Sequence, residues 1–437
     1  MPPRTMASTT RTVAEISRQN LQDLSTHPGA SITDVKQLSS YNWIEAPTPT
    51  IAVPGSPPLW SAPKGPRQLK PDSGFIYIGQ NAARHPDSPL EPLFRALYTA
   101  NPSFDIRSID VVTDRNNIRK LLSFVDPGLT RFGLESFTIK IEVTNNTAIF
   151  CREETATSEF ITPDQFRGYG HEFEKAYTTG MINRSTGHHR IISYRFNNLN
   201  FVIRHETDGY LPLPSSGSQE GSLASMLGSL SLSPTDNPPN TTPAGSKLTI
   251  QEEGKVVPLE TTLEIKTRVV HKPLTIHEVA PQLWISQTPK LVRAYHRRGT
   301  FHDPEVEDVS AEIKRWEERN QKNLRKLGAL ISRIVDMAKE FGGNAVLKCD
   351  ATGDRLVVAK AAEKKFLPKD LYAKWDDSNK LEVAKADHDA ETSSAVKAVD
   401  GAEPKPDGKS GTSRPEGHEG RTLGSPSGNG KGKKRDD

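Results

Sequence analysis

One stretch in the second half of the chain, Thr261 to Val270, constrains the fold more than any other part of the sequence. Its β-branched and aliphatic residues predict a buried strand, yet Glu264 and Lys266 lie inside it. Because side chains alternate between the two faces of a strand, both charges must emerge on the same face. Burying them costs roughly several kcal/mol each unless they are paired, hydrogen-bonded or bound to a metal. A salt bridge on an edge strand explains a single such pair. Whether this pair instead belongs to a functional site depends on the other charged residues of the sequence.

The composition limits how much of the chain can fold. Its 437 residues include 33 prolines and 31 glycines, and 34% are hydrophobic. We predict one large domain over residues 31–375, between a disordered N-terminus (residues 1–30) and a disordered charged tail (residues 376–437). Residues 212–258 are rich in Ser, Gly, Pro, Asn and Thr, which predicts a disordered insertion inside the domain. The net charge of +3 identifies no partner.

The cysteines and the hydropathy pattern indicate the compartment. Cys151 and Cys349 lie far apart in sequence, which excludes a disulfide framework and a cysteine-rich zinc site. The sequence contains no run of about eighteen apolar residues, and its N-terminus lacks the apolar core of a secretory signal. We therefore expect a soluble intracellular protein, in the nucleus or the cytoplasm and without a membrane partner. The basic run from Lys431 to Arg435 is a weak nuclear-localisation signal.

Three further acidic residues interrupt apolar elements. Thr162-Pro163 predicts the start of a helix that carries Glu174. A hairpin with Asn197-Asn198 at its turn ends in Glu206 and Asp208, which are again two residues apart and so share a face. The order of these elements predicts that acids from one helix and two neighbouring strands lie close together.

Crowded carboxylates of this kind favour a bound cation. Adjacent strands lie about 4.8 Å apart, so the four carboxylates of Glu174, Glu206, Asp208 and Glu264 would repel each other at one sheet edge. Mg²⁺ or Mn²⁺ suits an all-oxygen ligand set and removes that repulsion. Lys266 beside such an ion can orient the attacking water, while the ion stabilises charge on a phosphodiester. The pattern therefore predicts phosphate-ester hydrolysis.

These residues also carry a resemblance. E-x-D followed by E-x-K after a gap is typical of the PD-(D/E)XK nuclease fold. The wider set of motifs resembles the decapping exoribonuclease (DXO-type) family, which removes incomplete or non-canonical 5′ caps from RNA. The similar stretches are Ser39 to Trp43, Gly170-His171-Glu172-Phe173-Glu174, Glu206-Thr207-Asp208, Glu264-Ile265-Lys266 and Trp284-Ile285-Ser286-Gln287.

The resemblance implies an α/β (α+β) fold, a single nuclease-like domain with a mixed central sheet flanked by helices. It implies metal ligation by the four carboxylates and by the main-chain carbonyl of Ile265. Lys266 and Gln287 would position the water and the scissile phosphate. The family's upstream arginine motif, which contacts RNA, has no counterpart that can be placed here, and Arg84, Arg115 and Arg131 are candidates without a ranking.

A basic cluster follows the last motif. Arg293, Arg297 and Arg298 lie close to the predicted site in sequence. Phosphate contacts supply much of the affinity of proteins for RNA, so we interpret the three arginines as substrate-binding residues. Solvated surface charge is the alternative interpretation.

Three functions remain open from the sequence. The first is a metal-dependent RNA 5′-end nuclease of the decapping type. The second is a catalytically inactive RNA-processing scaffold that binds or stimulates a partner exonuclease. The third is a prenyl-diphosphate synthase, because the chain is also similar to a fungal group labelled geranylgeranyl pyrophosphate synthetase. That activity implies D-D-x-x-D helices, whereas Asp376-Asp377 is followed by no third aspartate at the required spacing.

Overall fold

Two large mixed β-sheets form the framework that carries the helices. The computed structural model describes residues 12–22, 24, 29–129, 133–212 and 240–376. In that part of the chain the strands are β1 (Thr12–Ser17), β2 (Thr33–Ile44), β3 (Thr50–Gly55), β4 (Leu59–Trp60), β5 (Arg67–Gln68), β6 (Gly74–Tyr77), β7 (Val111–Asp114), β8 (Phe137–Thr144), β9 (Thr147–Glu153), β10 (Ser158–Ile161), β11 (Thr178–Thr179), β12 (Ser185–Phe196), β13 (Leu199–Glu206), β14 (Gly209–Tyr210), β15 (Thr249–Gly254), β16 (Thr262–Val269), β17 (Lys290–Arg297), β18 (Thr300–Phe301), β19 (Val306–Asp308), β20 (Asn344–Cys349) and β21 (Arg355–Lys360).

The helices lie between these strands. Over the same described ranges the α-helices are α1 (Gln80–Arg84), α2 (Glu91–Ala100), α3 (Arg115–Val125), α4 (Gly170–Tyr177), α5 (Ile276–Ser286), α6 (Ser310–Arg319), α7 (Gln321–Glu340) and α8 (Lys369–Tyr372). None of these helices combines the length and the apolarity that a membrane crossing needs.

The larger sheet has eleven strands in the order β1-β21-β20-β8-β9-β7-β13-β12-β2-β3-β15. Most neighbours are antiparallel, but β7 runs parallel to both β9 and β13, and β15 runs parallel to β3. Helices cover both faces, because α3, α5, α6 and α7 share one buried apolar cluster with the sheet, whereas α2 and α8 share another. In α7, Leu324, Leu327, Ile331 and Ile334 are fully buried at helical spacing, which fixes the face that packs inward.

The smaller sheet follows the order β11-β4-β14-β16-β17-β18-β5, with β19 also paired to β17. Its central strands β16 and β17 are parallel, so the chain needs a crossover connection, which α5 supplies. A capping box between Thr275 and Glu278 starts α5, and Gln287 ends it with a left-handed backbone (φ 53°). Phe173 and Tyr177 of α4 pack against Leu263 and Ile265 of β16. The E-x-K strand is therefore covered by α4 on the face opposite Glu264.

Two ordered strands lie where the sequence predicts disorder. The strand β1 falls inside residues 1–30 and pairs with β21, and its Ile16 joins the core. The strand β15 falls inside residues 212–258 and pairs with β3, and its Ile250 is buried. Both predictions were wrong at these strands because each is stabilised by a sheet edge distant in sequence. Residues 213–239 and 377–437 lie outside the described residues.

Candidate active site

The candidate site lies where the chain passes from the larger sheet to the smaller one. The larger sheet holds β13 up to Glu206, and three residues later Gly209 pairs with Leu263 of β16 in the smaller sheet. The backbone N–H of Ile265 donates a hydrogen bond of 2.8 Å to Asp208 Oδ2. The E-x-D and E-x-K motifs therefore meet. They do so at a turn between two sheets, and the expectation of one shared sheet edge was wrong because the chain leaves β13 at Thr207.

Glu264 lies buried at this junction, with 2% of its surface exposed. Its carboxylate accepts hydrogen bonds from Lys266 Nζ, from Gln282 Nε2 at 2.5 Å and from Arg115 Nη1 at 3.1 Å. Burial alone would raise the pKa of Glu264, but the charges of Lys266 and Arg115 outweigh burial and lower the pKa to about 2. The pair Glu264–Lys266 confirms that both side chains share one face of the strand.

Glu174 reaches the same place from α4. The carboxylate of Asp72 accepts a hydrogen bond of 2.9 Å from the backbone N–H of Glu172, which satisfies a free donor at the start of this helix. Phe173 is fully buried against β16, and Glu174 is the next residue along the helix. Burial, followed by the negative charges of Asp208 and Glu206, raises the pKa of Glu174 well above its usual range.

The two acids of the E-x-D motif also bind protons more tightly than usual. Burial and the charge of Glu264 raise the pKa of Asp208 to about 8, although Lys266 and the Ile265 N–H oppose the rise. Glu206 is exposed at the surface, yet desolvation of its carboxyl group by the surrounding protein raises its pKa. The negative charge of Glu264 adds to the rise, whereas the positive charge of Arg115 opposes it. The cations at Glu264 therefore stabilise its negative charge, whereas the other three acids favour their protonated forms.

The donor set suits a hard divalent ion, because it consists of carboxylate oxygens. As the side chains stand, no three His, Cys, Asp or Glu residues in the described part of the chain converge closely enough to hold a metal ion. The Glu264 carboxylate already accepts hydrogen bonds from three donors. The residue types fit Mg²⁺ or Mn²⁺, whereas binding would require at least Glu264 to exchange some of its partners.

Two glutamines of α5 have different hydrogen-bond partners. Gln287 lies at the end of α5, where its side chain donates to the carbonyl of Trp284. Gln282, five positions earlier in the same helix, donates to Glu264 instead. The motif singled out Gln287 and missed Gln282, because the phase of α5 relative to β16 is a tertiary property.

The arginines that the sequence singled out also differ in whether they contact the site. Arg115, the first residue of α3, contacts Glu264, whereas Arg84 pairs with Glu45 at 2.5 Å, and Arg131 lies outside the described residues. Arg293 is the register partner of Lys266 on β17 and bonds to Glu307. Arg297 and Arg298 are exposed at the far end of β17, about 13 Å along the strand from Arg293.

A cavity of about 120 Å³ opens beside Glu206. Its polar lining includes Arg115, Arg152, His189 and His205. Burial, followed by nearby positive charges, lowers the pKa of both histidines, so their rings are neutral at physiological pH. Cationic guanidinium groups and neutral imidazoles next to carboxylates form a lining that can accept a phosphate group.

A family model described as "Domain of unknown function (DUF8563)" matches residues 11–375. The chain belongs to this family. No curated protein matches the sequence of this DUF8563 member. The crystal structure of S. pombe Rai1 in complex with 3′-FADP is similar to it, with a TM-score of 0.50 and 11% sequence identity, over 80% of this chain and 99% of that chain.

Two further Rai1 crystal structures have the same relation to this DUF8563 member. Scheffersomyces stipitis Rai1 in complex with (3′-NADP)+ and calcium ion has a TM-score of 0.49 and 12% identity, over 86% of this chain and 100% of that chain. Candida albicans Rai1 in complex with pU5-Mn²⁺ has a TM-score of 0.48 and 12% identity, over 84% of this chain and 99% of that chain. The likeness to S. pombe Rai1 confirms the predicted mixed α+β fold with helices flanking the sheets.

Proposed function

We propose that the chain is a divalent-metal-dependent hydrolase that cleaves phosphodiester bonds at RNA 5′ ends. The junction of Glu174, Asp208 and Glu264 beside Lys266 is the observation that carries this proposal. Acids with raised pKa values destabilise a folded protein at neutral pH, so a purely structural role gives no reason to gather them. Clusters of strongly perturbed carboxylates are typical of functional sites.

Each residue has a role in this proposal. Glu174, Glu206, Asp208 and Glu264 hold the ion, together with the main-chain carbonyl of Ile265. When bound, the ion supplies an activated water and stabilises charge on the phosphate. Lys266 orients the attacking water, and Arg115 holds Glu264 in place. Gln282 acts as a positioning residue through its bond to Glu264, whereas the resemblance assigned Gln287 to position the water and the scissile phosphate.

The choice of RNA 5′ ends rests on the fold and on the cavity beside Glu206. S. pombe Rai1 shares this fold, and its crystal structure is a complex with 3′-FADP. Arg115 and Arg152 line the cavity in this chain, where they pair with Glu264 and Glu154, and a phosphate group entering it would compete with these carboxylates for the guanidinium groups. Arg293, Arg297 and Arg298 would contact the RNA backbone further along β17. The compartment that we propose is the nucleus or the cytoplasm.

Incubation of the purified chain with 5′-triphosphorylated, 5′-monophosphorylated and capped RNA tests this proposal. We expect release of nucleotide products that requires Mg²⁺ or Mn²⁺ and stops on chelation. Glu264→Gln should abolish the release while leaving the fold intact by circular dichroism. Hydrolysis that persists in Glu264→Gln, or an absence of hydrolysis with every RNA end and both metals, would contradict the proposed activity.

One observation favours a second function, an RNA-processing scaffold without catalysis. Lys266, Arg115 and Gln282 already satisfy Glu264, as expected of a site that no longer exchanges partners for metal. Such a scaffold would bind RNA equally well with and without divalent ions, and could stimulate a partner exonuclease. Metal-independent RNA binding without product release in the same assay would support this alternative. No aspartate-rich diphosphate motif occurs in the sequence, so we do not propose prenyl-diphosphate synthesis.

A further inference from the structure

The two-stranded sheet formed by β6 and β10 exposes large aromatic side chains. Phe75 and Phe160 face each other across the two strands and are 58% and 65% exposed. Tyr77 lies two residues beyond Phe75 on the same face, and their rings meet edge to face at 5.0 Å. We call Phe75, Tyr77 and Phe160 the aromatic face. Exposed apolar side chains that cluster in this way indicate a binding surface.

The aromatic face is tied to the candidate active site at both ends. At one end, the backbone N–H of Asp72 donates to Gly168 O at 2.9 Å, and the Asp72 carboxylate binds the first turn of α4, which carries Glu174. At the other end, Tyr77 and the next residue, Ile78, line the cavity that also contains Arg115 and Glu206. A ligand that fills the cavity can therefore continue onto the aromatic face.

Positive charge accompanies the aromatic rings where the two surfaces meet. The guanidinium group of Arg84, which pairs with Glu45, lies 5.0 Å from the centre of the Tyr77 ring, and Arg152, which pairs with Glu154, lines the adjoining cavity. Rings beside guanidinium groups are the combination with which proteins bind single-stranded nucleic acid, because bases stack on rings while cations hold the phosphates. A face that served only to dock a protein would not need to continue into a basic cavity.

We propose that the aromatic face is a base-stacking platform for single-stranded RNA whose 5′ end lies in the cavity beside Glu206. This inference rests on the proposed function for the position of the 5′ end, and it adds a second binding surface to the site. We expect RNA of one or two nucleotides to contact the cavity without reaching Phe75 and Phe160. Longer RNA reaches Phe75 and Phe160 and gains affinity from them.

Binding by fluorescence anisotropy tests the platform in the full-length chain. The probes are a 5′-phosphorylated adenylate dinucleotide and octanucleotide, measured with chelator present so that no hydrolysis occurs. The double variant Phe75→Ala/Phe160→Ala should weaken octanucleotide binding about fivefold or more and leave dinucleotide binding unchanged. Both side chains are exposed, so thermal unfolding should not change.

Two single variants separate stacking from simple hydrophobic contact. Phe160→Leu keeps an apolar side chain but removes the ring, and should lose octanucleotide affinity, whereas Phe160→Trp should retain it. Octanucleotide affinity that is unchanged in the double variant would overturn the proposal and assign the aromatic face to protein contacts. If the wild-type chain hydrolyses no RNA yet shows the ring-dependent gain with length, the hydrolase proposal fails and the platform stands. If it hydrolyses RNA without that gain, the platform alone fails.

Discussion

The backbone N–H of Ile265 donates a hydrogen bond of 2.8 Å to the carboxylate of Asp208, and this bond joins the two acidic motifs. Asp208 thereby comes within electrostatic reach of Glu264, although the two acids respond in opposite ways. The pKa of Asp208 rises to about 8, whereas that of Glu264 falls to about 2. A neighbouring pair of acids with such different proton affinities can hold one proton and one negative charge at neutral pH.

The raised pKa of Asp208 predicts that Asp208→Asn stabilises the metal-free protein at alkaline pH. Between pH 3.8 and about 8 the folded state holds a proton on Asp208 that the unfolded state has lost. The free energy of unfolding therefore falls as the pH rises through that window, and asparagine removes this dependence. Thermal unfolding in chelator should show a difference between variant and wild type that grows from about pH 5 to about pH 8.

Asp336→Asn is the matched control for this experiment. Asp336 is exposed on α7, away from the acidic motifs, so its variant should follow the wild type at every pH. A difference between Asp208→Asn and wild type that stays constant with pH would mean that Asp208 is already ionised in the folded protein.

Glu174→Gln should lower hydrolysis by at least about 100-fold, because even residues that only orient metal ligands contribute about 10- to 100-fold. Glu172→Gln is the control, since Glu172 lies on the same helix and pairs with Lys175 at 2.7 Å. Product release and calorimetric Mn²⁺ binding should both be lost in the first variant and kept in the second. Equal activity of the two variants would remove Glu174 from the site.

Local patterns predicted one part of the site well. The shared face of Glu264 and Lys266 follows from strand alternation alone, and the structure confirms it through their ion pair. The meeting of Asp208 with the E-x-K strand followed from the motif order, but the passage of the chain between two sheets did not. The alternation of side chains is a property of one strand. The sheet that a strand joins depends instead on which strands, distant in sequence, pair with it.

Tertiary packing determined what the sequence missed. Arg115 was one of three unranked arginines, because only the pairing of β7 with β13 brings the start of α3 to Glu264. The strand β1 is six residues long, and it pairs with β21, which lies near the other end of the domain in sequence. Such partners cannot be recognised from a single segment of one sequence.

The two glutamines of α5 provide a direct test of this difference. Gln282→Ala should reduce hydrolysis about 10- to 100-fold, because it removes a donor that orients Glu264. Gln287→Gly should have little effect on hydrolysis, since Gln287 bonds only within its own helix end and glycine accepts its left-handed backbone. Measurement of kcat and KM for both variants checks these two expected effects on hydrolysis. A larger loss in Gln287→Gly would favour the motif-based assignment over the contact seen in the structure.

The buried pair Asp114–Arg204 should be required for stability, and it lies directly before Arg115. Arg204 is 1% exposed, and its Nε and Nη2 donate to the two Asp114 oxygens at 2.7 and 3.0 Å. Asp114→Asn leaves this guanidinium without its counter-ion, which costs about 3–5 kcal/mol in a buried site. Urea unfolding should show that loss, whereas Asp354→Asn, which breaks an exposed contact with Arg355 at 3.7 Å, should leave the free energy of unfolding almost unchanged. Similar losses in both variants would mean that water reaches Arg204 and that the end of β7 does not hold Arg115 rigidly against Glu264.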